Sequence, residues 1–213
     1  MIQGREGKHR MLMNRIETAV INNPARRALQ RWYETPLLQK LGGPLPAGAR
    51  VLEIGCGPGY GARLILEHFG AAHIDAVDLD ETMTTRARRR LAPYGGRARV
   101  GIADAADLRS LIPDDGVYDA VFDFGIIHHI PAWRTALAEV ARVLKPGGTF
   151  YFEEVTRHAL DRASYRLLFD HPKTDRFTDA EFLTELPRHR LRVRGHRTVF
   201  FGDFVLGAAD HAP

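Results

Sequence analysis

The stretch Val51-Leu52-Glu53-Ile54-Gly55-Cys56-Gly57-Pro58-Gly59 decides the fold. Strand-forming residues run straight into a turn with glycine at every second place. A helical pattern follows, with Leu64, Ile65, Leu66 and Phe69 apolar and Gly70 as its stop. A backbone that turns this sharply and approaches a ligand needs residues without a Cβ atom. Strand, glycine-rich turn and helix together form the ligand-holding corner of a doubly wound α/β domain.

The glycine spacing alone does not name the ligand. It reads G-x-G-x-G, with Ala62 rather than glycine three places after Gly59, so a dinucleotide fingerprint fits only loosely. Asp78 adds the decisive neighbour, because it ends the run Ile74-Asp75-Ala76-Val77. An acid at the tip of a second strand is placed to accept hydrogen bonds from ribose hydroxyls. Acids in Leu79-Asp80-Glu81-Thr82-Met83 suit the first turn of the next helix. Met83, one turn in, packs either on a bound ring or on the core.

Further along, Val100-Gly101-Ile102-Ala103 reads as a third strand running into Asp104. That carboxylate either points into the ligand crevice or caps the following helix, and Asp107 reads as a cap. Tyr118 to Phe124 is the fourth strand, left by Gly125-Ile126-Ile127-His128-His129-Ile130-Pro131. Trp133, Leu137, Val140 and Leu144 recur at helical spacing until Lys145-Pro146-Gly147-Gly148 ends the helix, and Thr149 to Val155 is a fifth strand. Residues 159–169 are helix-like. Thr178 and Glu181 have the spacing of a capping box. Leu191 to Phe200 and Phe201 to Leu206 are two strands able to pair antiparallel at a sheet edge.

Before the first strand, residues 1–10 have no periodicity, and Leu12, Ile16 and Val20 make one helical stripe. Asn23-Pro24 reads as N-cap and first residue of a second helix, with Leu29, Trp32, Tyr33 and Leu37 on one face and a bend at Pro36. Residues 1–45 are too few for a domain. They read as a tail and helices, ahead of one ligand-binding domain over 46–213. Trp32 and Tyr33 either line the site or pin the helix to the sheet.

The formal charge of +4 and pI of about 9.4 admit an acidic partner. The arginines fall where solvated faces carry them. Arg86, Arg88, Arg89 and Arg90 lie late in a helix, while Arg190, Arg192 and Arg194 alternate with Leu191 and Val193. Stacking aromatics are not interleaved with them, so nucleic acid is not the expected partner. One cysteine excludes a disulfide framework, and no apolar run reaches the ~18 residues of a membrane span. A cytoplasmic setting is the expectation.

E-x-G-x-G-x-G followed by an acid-tipped strand, then "YDAVFDFGIIHHI" through "EVARVLKPGGTFYFEEV", resembles the class I S-adenosylmethionine-dependent methyltransferases. The likeness covers about half of the chain, in order and spacing. It implies a doubly wound, mostly parallel seven-stranded sheet of order 3-2-1-4-5-7-6 with N-terminal lid helices. It also implies S-adenosylmethionine as cofactor, S-adenosylhomocysteine as product and a small-molecule acceptor. The cofactor contacts it implies are Glu53, Gly55, Cys56, Gly57 and Gly59, then Asp78, Leu79 and Met83. Asp104 and Ala105 would meet the adenine, and Asp123 closes the set.

Methyl transfer from a sulfonium is an in-line displacement, so the protein's main task is alignment, which alone is worth about 7–11 kcal/mol. A base adds about two to four decades where the acceptor carries a proton. His128, His129, Glu154 and Tyr33 are the substrate-side candidates. Adjacent histidines point different ways, so one faces the cavity; alternatively His129 is a structural hydrogen-bonder and His128 a wall residue. One of Glu153 and Glu154 faces the site, and alternation with Phe152 favours Glu154. Glu53 organises the turn. Cys56, without a Cys or His partner at metal spacing, is a small loop residue. The Asn/Asp-Pro-Pro-Tyr tetrad of base amino-methylating enzymes is replaced by Asp123-Phe124-Gly125-Ile126, and H-E-x-x-H is missing. The rival readings are a methyltransferase of RNA or protein, a nicotinamide dehydrogenase, and a cofactor-binding regulator without catalysis.

Overall fold

The computed structural model describes residues 23–162 and 175–213. The stripe Leu12 to Val20 and the larger part of the helix expected over 159–169 lie outside them. Seven strands form one sheet: β1 (Arg50–Ile54), β2 (His73–Asp78), β3 (Ala98–Ile102), β4 (Tyr118–Phe124), β5 (Leu144–Val155), β6 (Leu191–Val199) and β7 (Phe204–His211). Their order is β3-β2-β1-β4-β5-β7-β6, as the sequence implies. β1 pairs in parallel with both β2 and β4, so the chain reverses its direction of travel across the sheet there. Ligands of such sheets bind beyond the carboxyl ends of the strands at that switch point. β7 enters antiparallel between β5 and β6.

Along the chain, the helices are α1 (Pro24–Leu29), α2 (Thr35–Gly42), α3 (Tyr60–Leu64), α4 (Glu81–Leu91), α5 (Trp133–Val143), α6 (Arg157–Leu160) and α7 (Asp179–Glu185). Asn23 caps α1 by accepting the Arg26 N–H at 3.0 Å. Between α1 and α2, Gln30–Glu34 winds one wide turn, in which the Thr35 N–H reaches back to the Gln30 carbonyl. Pro36 lacks the N–H that the Trp32 carbonyl would receive, so the bend expected at Pro36 is taken up in the turn before it. The Thr178–Glu181 capping box forms on α7.

The core has two halves, one on each face of the sheet. Leu52, Ile54, Val121, Phe150 and Phe152 meet α5 through Trp133, Leu137 and Val140. On the other face Val51, Phe122 and Tyr151 meet Leu38, Ile65 and Phe69. The rings of Phe122 and Tyr151 stack 4.6 Å apart. The Tyr151 hydroxyl donates to the Gly43 carbonyl at 2.9 Å, which ties the end of α2 to the sheet.

Four expectations need correction. The last strand runs Phe204–His211 rather than Phe201 to Leu206, because Phe200 and Phe201 both turn with left-handed φ (52° and 59°). Lys145 to Gly148 ends α5 but is already extended as the start of β5. Trp32 is 73% exposed, so it does not pin the helix to the sheet. Asp107 makes no capping bond; the Leu108 N–H is taken by Glu139 Oε2 at 2.9 Å.

Candidate active site

The loop after β1 is built from three left-handed glycines, Gly55 (φ 63°), Gly57 (φ 50°) and Gly59 (φ 80°). It is tied to β2 twice: Cys56 N–H donates to the Val77 carbonyl at 2.9 Å, and Gly57 N–H donates to Asp78 Oδ2 at 2.8 Å. A Cβ on Gly55 would collide with Ile126, and one on Gly61 with Glu53 Oε1. At Gly57 nothing lies within 4 Å of that position. The loop is therefore filled from behind and open at Gly57. The Cys56 thiol is buried, and burial together with Glu53 pushes it well above its usual range, so it is inert.

Carboxyls ring this loop. Glu53 is 2% exposed, and burial, then the charges of Asp78 and Asp123, push it well above the ordinary carboxyl range. Its Oε2 has no hydrogen-bond partner among the described residues. Asp78 is also raised by burial, and its Oδ1 accepts the Asp80 N–H at 2.8 Å. It thus braces the glycine loop and the entry to α4 at once, while each oxygen keeps a second lone pair. Asp80 caps α4 through the Thr82 N–H at 2.7 Å, Met83 is buried and Leu79 half-buried. Asp104 Oδ1 accepts the Ala106 N–H at 2.9 Å, a tight local turn beside buried Ala105.

Beyond β4 the loop 125–129 is held by two fully buried acids. Asp123 Oδ1 accepts the N–H groups of Gly125 (3.0 Å) and Ile126 (2.9 Å). Glu154 accepts Ile127 N–H at 2.6 Å on Oε1, and on Oε2 the His128 N–H at 3.1 Å and ring Nδ1 at 2.6 Å. Burial and the nearby Glu154 charge raise Asp123 well above its usual value, while burial pushes Glu154 up to about 7. The two buried acids thus favour sharing a proton. Burial lowers His128 to about 3. Ion-pair distance to Glu154 alone would favour a charged ring. Desolvation outweighs it, because stripping water from an imidazolium costs more than one contact returns. His128 is a neutral ring donating Nδ1–H to Glu154, and the His129 ring lies 4.2 Å away. Glu154, favoured above as the acid facing the site, turns both oxygens to this loop.

The neighbouring acid turns the other way. Strand alternation puts Glu153 on the opposite face, where Arg26 bridges it (2.7 Å) to Glu34. Burial, then the Glu153 charge, push Glu34 up to about 9 against the pull of Arg26. Both carboxylates outweigh burial and raise Arg26. This triad was not read from the sequence. Its signal was an acid, Glu34, buried in the otherwise apolar stripe of Leu29 and Leu37. Tyr33 stands 42% exposed with its ring 6.4 Å from that of Phe200. A separate groove of about 380 Å³ lies across β2 and β3, and none of these carboxyls lines it.

A parallel sheet with a glycine cradle at its switch point and an acid on the next strand defines a nucleoside-binding α/β domain. Residues 51–148 match the model of the methyltransferase domain family. The chain belongs to the class I S-adenosylmethionine-dependent methyltransferases. It is 34% identical over 154 residues to malonyl-[acyl-carrier protein] O-methyltransferase of Halorhodospira halophila, covering 71% of this chain and 50% of that protein. Sarcosine/dimethylglycine N-methyltransferase of Halorhodospira halochloris is 29% identical, over 91% of this chain and 73% of its own. The chain spans about half the length of the first relative. A Haloferax volcanii methyltransferase solved with the Trm112 activator superposes with a TM-score of 0.74 at 19% identity, over 92% and 94% of the chains. Geranyl diphosphate C-methyltransferase of Streptomyces coelicolor, solved with S-adenosyl-L-homocysteine, gives 0.67 at 17% identity, over 84% and 79%.

Proposed function

We propose that this chain methylates a small-molecule acceptor with S-adenosylmethionine held in the crevice above β1, β2 and β4. The open backbone at Gly57, with Asp78 bound to its N–H and Glu53 Oε2 buried without a partner among the described residues at the end of β1, is the observation that carries the reading. A buried carboxyl oxygen without a donor is costly unless something cationic or hydrogen-bonding completes it. The bound cofactor supplies an electrophilic methyl on a sulfonium and a neutral thioether as leaving group.

The protein's own share is position. Gly55, Gly57 and Gly59 let backbone approach the ligand without side chains. Asp78 offers its remaining lone pairs to ribose hydroxyls, and Asp104 with Ala105 faces the adenine. Met83 and Leu79 give that ring an apolar wall. Asp123 and Glu154 fix the 125–129 loop, and with it His128 and His129, at the edge where the acceptor enters. Tyr33 and the two N-terminal helices cover that edge and exclude water. Small-molecule acceptors agree with relatives named for malonyl-carrier, trans-aconitate, fatty-acid and sarcosine methylation. Methyl-labelled cofactor incubated with the purified protein and metabolite extracts tests this. Label in a small product supports it, and label only in RNA or protein refutes it.

A further inference from the structure

Among the described residues, four of the six large apolar side chains that stand exposed are Trp32 (73%), Tyr33, Phe200 and Phe201 (95%). Trp32 and Tyr33 lie in the wide turn after α1, and the Tyr33 ring meets that of Phe200 at the tip of the β6–β7 hairpin. That tip stands at the carboxyl end of β5, since Phe204 pairs with Val155. It is costly to build, because Phe200 and Phe201 both hold a left-handed φ that bulky residues avoid. Phe201 gains almost no burial in return.

Beside these rings the fold collects arginines. Arg27 lies over the ring of Tyr60 at 5.5 Å and Arg31 over that of Trp32 at 5.2 Å. Arg63 pairs with Glu67 at 3.0 Å, and Arg31 reaches the same acid only at 3.8 Å. Arg90 turns to the Pro58 carbonyl, and burial, then the charges of Arg27 and Arg63, hold it below its usual range. Neither Arg27 nor Arg90 has an acid partner among the described residues, and Arg27 Nε is buried without any. Four guanidiniums thus gather about one carboxylate. In the sequence Arg86 to Arg90 stand apart from any aromatic residue; folding brings Arg90 to a patch that holds Trp32 and Tyr60.

We propose that this end of the molecule docks on a bilayer surface rich in anionic lipids, with Trp32 and the Phe200–Phe201 tip among the headgroups and the arginines on their phosphates. The docking is peripheral, as no helix among the described residues is long and apolar enough to cross a membrane. It goes beyond the methyl-transfer reading and does not depend on it. Aromatic rings settle at the level of the headgroups, where one side is apolar and the other wet. Each arginine held near an anionic surface adds about fivefold to the partition. A nucleic-acid strand would stack on rings set among cations, as Trp32 and Tyr60 are. Phe200 and Phe201 have no cation over their rings among the described residues, and bare apolar rings at an exposed tip suit lipid.

The test uses the full chain with phosphatidylcholine vesicles, with and without about one-third phosphatidylglycerol. Trp32 is itself the probe, because the other tryptophan, Trp133, is 1% exposed. On the anionic vesicles the parent's emission should shift to the blue, the shift should fade as salt rises, and Trp32→Phe should abolish it. In sedimentation, Phe201→Gly should lower the partition at least ~5-fold, the loss of one inserted ring. Glycine suits the left-handed φ at that position, so the fold is kept. Arg31→Gln should lower the partition about fivefold. Should either variant fail to fold, the Trp32 emission of the parent decides alone. An unmoved Trp32 emission, equal binding to the neutral vesicles, or a folded Phe201→Gly that partitions like the parent overturns the proposal. Binding of single-stranded RNA with no binding of vesicles also overturns it, and assigns the patch to a polyanion instead.

Discussion

Asp78→Asn is the sharpest perturbation of the cofactor site. In the parent, Oδ2 receives the Gly57 N–H and Oδ1 the Asp80 N–H, each at 2.8 Å. An asparagine keeps one of those acceptors and turns an NH₂ donor towards the other N–H. Charge-assisted bonds of this kind are worth about 1.5–3 kcal/mol. Losing one costs stability, offset in part because the variant removes an anion that raises Glu53. For a domain of this size each kcal/mol moves Tm by about 2–4 °C, so a fall of a few degrees is expected. Cofactor affinity should fall further, by about 1–3 kcal/mol or roughly 5- to 150-fold in Kd, since the sugar hydroxyls lose a charged acceptor. Calorimetry with S-adenosylhomocysteine and its 2′-deoxy analogue separates the causes. If Asp78 touches the sugar, the losses from variant and analogue are not additive; if it only braces the loop, they add. A variant that binds within twofold of the parent refutes the placement of the sugar at Asp78.

Four other outcomes follow from the same geometry. Gly57→Ala puts a methyl into open space, so it should cost only the ~1–2 kcal/mol of a left-handed alanine in chemical denaturation yet abolish detectable cofactor binding. Gly61→Ala drives a methyl into Glu53 and Phe124, and should destabilise by about 1–3 kcal/mol, with cofactor affinity falling too. Gly70→Ala, in open space, should cost only left-handed strain and leave affinity unchanged. The folded-state pKa values of Glu34 (about 9) and Glu154 (about 7) lie above the ordinary 4.5. The native state therefore holds more protons than the unfolded chain, and their contribution is complete below pH 4.5 and lost as pH rises through those values. His128, lowered to about 3 from 6.5, works the other way, adding stability as pH rises from 3 to 6.5. Denaturation midpoints at pH 7 and 9 should therefore fall with pH, and Glu34→Gln should flatten that fall by up to ~1.4 kcal/mol per pH unit.

The fold was legible because its signals are local. Glycines at 55, 57 and 59 need left-handed φ, an acid after an apolar run marks the end of β2, and alternation in 118–124 and 149–155 gives the central strands. The edge was less so. Phe200 and Phe201 look like strand residues, and only pairing Val199 with Phe204 across the hairpin fixes where the turn comes. The candidate cofactor residues lie close in sequence to the glycine loop and to the ends of β2 and β3, which is why they could be named from the sequence. The contacts of the acids at the end of β5 could not be, because they join distant segments: Arg26 meets Glu153 across 127 residues, and Glu154 meets the 127–128 backbone across 26 or 27. Alternation says that Glu153 and Glu154 point oppositely; it is silent on which face carries the N-terminal helix.

The two glutamates explain why the same residue type serves two purposes at one strand end. A chain that leaves a parallel sheet at its switch point exposes several N–H groups with no neighbouring strand, and these must find acceptors within the fold. Asp78, Asp123 and Glu154 are those acceptors, taking donors from residues 57, 80 and 125–128. Their burial is set by the need to satisfy backbone, which leaves negative potential at the crevice as a by-product. Glu153 turns to the other face and, through Arg26, ties α1 to the end of β5.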